Sequence, residues 1–318
     1  MRMKLISVAI GALVSASAFA QSNVTVYGIL DIGLFSIDDD AGNGVTAVES
    51  SGWSTSVLGF KGSEDLGNGL KAIFQIETAL TNDSSSTFGD AQDTFVGLEG
   101  GFGTVVAGRI STPLNNWMGD FDASGASNAF RSTNVNLTAF TGEANGLETR
   151  VDNAVAYVAP TFSGIQFAAL YAPDEDDSIS HDVYGIGLRY DAGPISAMYT
   201  WHAVNNLVDS HTVGGAYDFG VARLMATYIL NDADASALED ETAWGLGVSA
   251  PIGAGVVSLG FTAQSDVEGI DSNDIDVWAL AYQHSLSKRT YAYAGYQYQD
   301  PDNGSSRDTF GVGIGHSF

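Results

Sequence analysis

Apolar and polar residues alternate along most of this chain, in short runs separated by brief breaks. In VTVYGILDIGLFS (24–36), Val24, Val26, Leu30, Ile32 and Leu34 share one face, and Thr25, Tyr27 and Asp31 share the other. A two-residue period gives a strand one apolar and one polar face. Residues 54–63 set Leu58 and Phe60 against Lys61; residues 70–80 set Leu70, Phe74, Ile76 and Leu80 against Lys71, Gln75 and Glu77. Similar units recur near 92–99, 104–110, 151–159, 165–172, 182–190, 195–203, 211–218, 221–230, 242–250, 256–265, 275–284, 290–299 and 308–318, which makes sixteen predicted strands. Their length and spacing suit strands of about 9–11 residues that cross a bilayer at a tilt.

The breaks fall into two kinds. EDLGNG, EGGFG, APTFSG, YDAGP, YDFG, APIGAG and HSLSKR are short. The others are longer and mostly acidic, among them SIDDDAGNG in the 37–53 loop, APDEDDSIS and NDADASALEDE. Seven short turns alternating with eight longer loops describe an up-and-down, sixteen-stranded antiparallel transmembrane β-barrel, with short turns on one side of the membrane and long loops on the other. Tyr184, Tyr190, Tyr199, Trp201, Tyr228, Trp244, Trp278, Tyr282, Tyr296 and Tyr298 lie near strand ends or on the apolar phase, where interfacial aromatics are favoured. The chain ends inside its last strand, TFGVGIGHSF, which must pair to avoid an open edge in lipid; pairing with 24–36 closes the barrel.

Residues 1–20 read as a secretory signal. Arg2 and Lys4 lead, Leu5–Val14 form an apolar core, and Ala18-Phe19-Ala20 resembles a cleavage site. The barrel domain is then 21–318. Without Arg2 and Lys4, the 12 basic residues become 10 against 38 acidic ones, a net charge of −28. So acidic a chain is a poor partner for nucleic acid. It has no cysteine, which excludes disulfides, thiol catalysis and cysteine metal sites.

One stretch breaks the pattern. From about 110 to 149 the alternation stops, and an insertion of that length in a compact domain is usually functional or disordered. It carries Asp120, Asp122, Arg131, Glu143 and Glu148, and Arg109 and Arg150 flank it. We expect it to fold inward. Lys61, Lys71, Arg189 and Arg223 fall on the polar phase of their strands, as conducting charges or as wall ion pairs. Arg109 shares its phase with Val105 and Ala107, so parity alone does not turn it towards water; the cost of arginine in lipid favours the lumen.

VTVYGILDIG, SVLGFKGSEDLGNGLKAIFQIE, FVGLEGGFGTVVAGR, TRVDNAVAYVAPTFSGIQFAALY, SLSKRTYAYAGYQY and the terminal GVGIGHSF together resemble the general porins of Gram-negative outer membranes, over nearly the whole mature chain. The resemblance implies a water-filled outer-membrane channel for small hydrophilic solutes and ions, a homotrimer among outer-membrane lipid and lipopolysaccharide. It also implies a third external loop that narrows the lumen. On that analogy the constriction consists of Arg109, Arg150, Asp120, Asp122, Arg131, Lys61 and Lys71. Some relatives carry an arginine just before LGFKG, where this chain has Val57. The acidic balance therefore leads us to expect cation preference.

A substrate-selective porin for an oligosaccharide or other nutrient is the alternative, with Trp117, Phe121, Phe130 or Phe140 as a sugar slide. An enzyme in a barrel would need a nucleophile–base pattern, and HExxH, GxSxG and P-loop motifs are absent. A structural or adhesive barrel would need a plugged lumen. No cofactor is expected beyond loose Ca²⁺ or Mg²⁺ at the acidic runs 38–40, 174–177 and 239–241.

Overall fold

The computed structural model describes residues 23–125, 127–133, 149–173, 182–233, 240–266, 274–302 and 304–318. The signal segment 1–20, Phe140, Glu143, Glu148 and the acidic run 174–177 lie outside these residues.

β1 (Asn23–Asp39), β2 (Val45–Ser50), β3 (Val57–Gly67), β4 (Leu70–Leu80), β5 (Phe88–Gly100) and β6 (Gly103–Ser111) precede the long insertion. After it come β7 (Arg150–Val158), β8 (Ile165–Ala172), β9 (Val183–Ala192), β10 (Ile195–Val204), β11 (Val208–Asp218) and β12 (Arg223–Ala233). β13 (Glu241–Ile252), β14 (Gly255–Ser265), β15 (Ile275–Ser285), β16 (Thr290–Pro301) and β17 (Arg307–Ser317) complete the chain. Every pairing in the sheet is antiparallel, and β1 pairs with β17, so the sheet closes on itself.

Seventeen segments make sixteen staves. The lower half of β1 pairs with β3, from Asn23 opposite Ser63 to Ile29 opposite Val57. Its upper half pairs with β2, from Ile32 opposite Ser50 to Ile37 opposite Val45. β2 and β3 are thus one stave, interrupted where 51–56 leaves the ladder. The 37–53 stretch was expected to be all loop. Instead β1 runs on to Asp39 and recruits VTAVES as a partner, supplying ladder bonds for backbone groups that a loop would leave to water.

The alternation read from sequence fixes which face looks out. Val24, Val26, Leu30 and Leu34 are exposed on β1, whereas Asp31, Gly33 and Phe35 are buried on its inner face. Exposed Val96, Leu188, Leu246, Leu280 and Val312 continue the outer band. In water such a surface would be an aggregation liability; in lipid it matches its solvent. Rings reinforce the band by stacking across strands. Phe261 lies 5.3 Å from Trp244 and 4.4 Å from Trp278, and Tyr184 lies 5.3 Å from Tyr171 and 6.4 Å from Trp201.

The closing seam is held from inside. Fully buried Asp31 accepts hydrogen bonds from the hydroxyls of Tyr291 (2.7 Å) and Tyr293 (2.8 Å), and from the Trp53 (3.1 Å) and Ser54 (3.3 Å) backbone N–H groups. The two tyrosines stand on β16 and reach Asp31 on β1 by lying across β17. They fit because β17 offers glycine there. A Cβ at Gly313 would come within 2.3 Å of the Tyr293 ring, and one at Gly315 within 2.2 Å of the Tyr291 ring. The terminal GVGIG is therefore a bed for aromatic rings.

Candidate functional site

The long insertion enters the barrel as soon as β6 ends. Thr112 caps α1 (Pro113–Trp117) by accepting from Asn115 N at 3.2 Å, and Pro113 opens the helix where no N–H is needed. A 3₁₀ turn, Met118–Phe121, follows. The base is closed by a 3.0 Å backbone bond from Thr112 N to Thr149 O.

From there the chain follows a track of inward-facing glycines. Trp117 lies on Gly187 of β9, Phe121 on Gly214 of β11, Ala123 on Gly247 of β13 and Ser132 on Gly260 of β14. Phe130 covers Gly295 of β16 and Gly311 of β17. A Cβ at any of these six glycines would approach the seated residue to 3.0 Å or less. Each thus supplies a recess for a loop side chain against the wall. The far end is tied to the 51–56 break: Asn128 N donates to Trp53 O at 3.1 Å, and Ala129 N to Gly52 O at 2.9 Å. Gln297 Nε2 on β16 donates to Arg131 O at 2.8 Å. In its described residues, then, the segment lies against the inner face of the wall. Trp117, Phe121 and Phe130 are buried as wedges in these seats, which leaves them no face for a sugar slide.

The charged residues separate into groups. Asp120 reaches the wall. Its carboxylate takes a 2.6 Å bond from Arg189 Nη1 on β9, and its carbonyl accepts from Arg223 Nη2 on β12 at 3.2 Å. Arg189 is also held by Asp191 through Nε. Both arginines stand near the short turns, so the loop tip reaches deep into the barrel. It borders a space of about 440 Å³ that Arg223, Ser249, Ser258 and Gln283 line from the adjoining wall.

Asp122 has a different task. It is buried, and its carboxylate accepts from Ser124 N and Oγ and from Thr133 N and Oγ1, drawing the two ends of 122–133 together. Arg131 sits close by. Burial lowers its guanidinium pKa, and the Asp122 charge pulls it back up.

The flanking arginines are engaged by the wall. Arg150 Nε lies 3.3 Å from Asp93. Arg109 corrects the expectation of a lumen-facing residue. It pairs opposite Thr94, on the phase of exposed Val96 and Val105, and so belongs to the outward phase of β6. It bonds Asp152 at 2.8 Å and Ala91 O at 2.9 Å. A bulge between β6 and β7 accompanies this pairing, with Asn153 at φ 53° and Gly108 at φ 146°. Gly108 has a second reason to be glycine: a Cβ there would lie 2.2 Å from Thr94 O.

Lys61 and Lys71 both project inward, away from the loop acids. Lys61 lies 4.6 Å over the Tyr27 ring, and Lys71 pairs with Glu99 at 2.8 Å. The structure thus brings Asp120 together with Arg189 and Arg223, and Asp122 with Arg131. Among the described residues, Arg150 pairs with Asp93 and Lys71 with Glu99, on the wall and not on the loop. Arg189 and Arg223 were legible as inward-phase residues but gave no sign of their loop partner. Among the described residues, no group of three or more His, Asp or Glu side chains is placed to hold a metal. In the 38–40 run, Asp39 is engaged by Asn43 and Asp40 by Ser306.

A closed, apolar-banded β-barrel with a loop seated in its lumen is the architecture of an outer-membrane channel protein. The family model for Gram-negative porins matches residues 7–304. The chain belongs to that family and is a channel of the bacterial outer membrane, not an enzyme. It is 35% identical to outer membrane porin protein 32 of Delftia acidovorans, over 92% of this chain and 88% of that one. It is 28% identical to the major outer membrane protein P.IB of Neisseria meningitidis serogroup B over the full length of both. Among solved structures, the anion-selective porin from Comamonas acidovorans matches with a TM-score of 0.83 and 31% identity, covering 93% of this chain and all of that one. OmpT of Vibrio cholerae in its trimer form shares the fold, with a TM-score of 0.72 at 17% identity, covering 93% of this chain and 99% of that one.

Proposed function

We propose that the channel admits small hydrophilic solutes and ions by passive diffusion, as a homotrimer, with a preference for cations. The observation that carries the proposal is Asp120, its carboxylate held by Arg189 and its carbonyl by Arg223, beside a space of about 440 Å³ that Ser249, Ser258 and Gln283 help to line. Fixed charges of both signs lining a narrow aqueous path favour polar solutes over apolar ones. Of the expected constriction set we retain Asp120 as a group facing solute and add Arg189 and Arg223, with Asp122 and Arg131 as loop supports.

The sign of the selectivity rests on neutralisation. Asp120 and Asp191 offset Arg189, Asp93 offsets Arg150, and Asp152 offsets Arg109. Val57 puts an apolar side chain on the inner phase of β3, opposite Ile29. With Arg189 and Arg150 offset, the net charge of −28 that follows from removal of residues 1–20 governs the mouth and raises the local cation concentration. The anion-selective relative weighs on the other side. The reversal potential in a planar bilayer under a KCl gradient decides between them. We expect the sign of a cation-preferring pore. The opposite sign removes the cation preference and leaves the diffusion channel; absence of conductance removes both.

A further inference from the structure

At the rim formed by the short turns, charge is distributed unevenly. The 64–69 turn carries Glu64 and Asp65, and Glu99, Asp191 and Asp218 stand at three other turns. The 159–164 and 251–254 turns carry no charge. The seventh, between β15 and β16, reverses the pattern with Lys288 and Arg289 side by side. Two of the ten basic residues left after residue 20 therefore occupy one exposed turn of a strongly acidic protein. Other basic residues near this rim have partners: Lys71 has Glu99, and Arg223 has the Asp120 carbonyl. Among the described residues, no carboxylate lies within ion-pair distance of Lys288 or Arg289. The Phe318 main chain is turned towards β1, where it exchanges hydrogen bonds with Gly28.

The surroundings of this turn are those of a bilayer interface. Leu286, within the turn, and Phe318 and Ile314, on the neighbouring strand, are exposed and apolar. They continue the lipid-facing band of Leu280 and Val312. His316 and His284 occupy the same outward phase, each fixed through Nδ1, by Thr290 (2.9 Å) and Tyr282 (2.8 Å) respectively. The turn itself is held by bonds from Leu286 N (2.9 Å) and Ser287 N (3.0 Å) to Thr290 O, and from Arg289 N to Ser287 Oγ (3.1 Å). Two cations are thus presented on an ordered turn directly beyond the apolar band.

We propose that the β15–β16 turn, with the outward face of β17, binds an anionic phospholipid headgroup in the periplasmic leaflet of the outer membrane. Short porin turns face the periplasm, which fixes the leaflet. Lys288 and Arg289 meet the phosphate, with the two histidines beside it, while Leu286, Ile314 and Phe318 meet the first part of the acyl chains. Basic residues just outside an apolar span attract anionic lipid, and an acidic soluble partner would leave the apolar half of this surface without a role. The site is independent of the conduction reading, because it lies outside the barrel.

Native mass spectrometry of the full-length protein, equilibrated with equimolar phosphatidylglycerol and phosphatidylethanolamine in detergent, tests the proposal. We expect wild type to retain phosphatidylglycerol with a preference of about tenfold, in line with the attraction of two basic residues for an anionic headgroup. The K288Q/R289Q variant should lose that preference and K288R/R289K should keep it. Equal retention of both lipids by wild type would overturn the proposal. So would an undiminished preference in K288Q/R289Q, or equal loss in both double variants.

Discussion

Asp120 and Arg189 stand 69 residues apart in the chain and meet at 2.6 Å inside the barrel. The contact joins the tip of the inward loop to the wall, and Asp191 holds the same guanidinium from the other side. Replacing Asp120 by Asn therefore leaves Arg189 with a partner while removing one negative charge from the lumen. A unit charge about 8 Å from an ion path in water is worth about 0.5 kcal/mol, or a factor of about two in ion occupancy. We expect Asp120→Asn to lower the cation-to-anion permeability ratio by about two- to fourfold. Unfolding stability should change by less than about 1 kcal/mol, because the Asp120 side chain is half exposed. An unchanged reversal potential would remove Asp120 from the selectivity machinery.

Asp122 should behave in the opposite way. Its carboxylate is a buried acceptor for Ser124 and Thr133, and its charge is the counterweight to Arg131. Asp122→Ala leaves those donors without their acceptor and Arg131 without the nearby negative charge, at a cost of about 3 kcal/mol to the local stability of the loop. We expect faster hydrogen exchange across 118–133 and larger open-channel current fluctuations, with the barrel still resistant to denaturation in SDS at room temperature. Exchange rates equal to wild type would show that the glycine seats hold the loop without this knot.

Strand phase was readable because it depends on neighbouring residues. Val24, Val26 and Leu30 face out, and Asp31 faces in, as the alternation required. Arg109 shows where that reading ran out. Its parity already placed it with Val105 and Ala107; the preference for the lumen came from the cost of a bare arginine in lipid. Asp152, 43 residues later, removes that cost by pairing with it at the strand end. Such partners depend on register across strands and on a bulge, and neither leaves a local trace. The same holds for the glycine track. The 38 glycines of the full chain were plain in the composition. Which of them lies under Trp117, Phe121 or Phe130 is decided only when the loop is laid against the closed wall.

That track gives a steric prediction. A Cβ at Gly295 would sit 2.6 Å from the Phe130 ring, which is itself packed between Phe35 at 6.0 Å and Trp53 at 6.4 Å and has no room to retreat. Overpacking of this kind costs about 1–3 kcal/mol. Gly215→Ala is the matched control, since nothing lies within 4 Å of the position its Cβ would take. We expect Gly295→Ala to lower the temperature at which the folded barrel loses its SDS-resistant mobility and to alter conductance by displacing the loop, while Gly215→Ala does neither. Equal behaviour of the two variants would mean that Phe130 is not seated on β16.

Val57 offers a test by addition of charge. It lies on the inner phase of β3, directly opposite Ile29 and Ala79 and just before the Gly59 to Lys61 stretch. It is half-buried, so a long side chain there has water to extend into. Val57→Arg puts a permanent cation on the lumen wall, with neither Asp120 nor Asp191 beside it. By the same Coulomb scale of about 0.5 kcal/mol, anion occupancy should rise by about a factor of two and cation occupancy should fall by a similar factor. Val57→Gln, of comparable length and without charge, separates this effect from simple narrowing. We expect Val57→Arg to move the reversal potential in KCl towards the anion side, and Val57→Gln to lower conductance alone. Movement of the same size in both variants would mean that pore width, not wall charge, sets the ion preference.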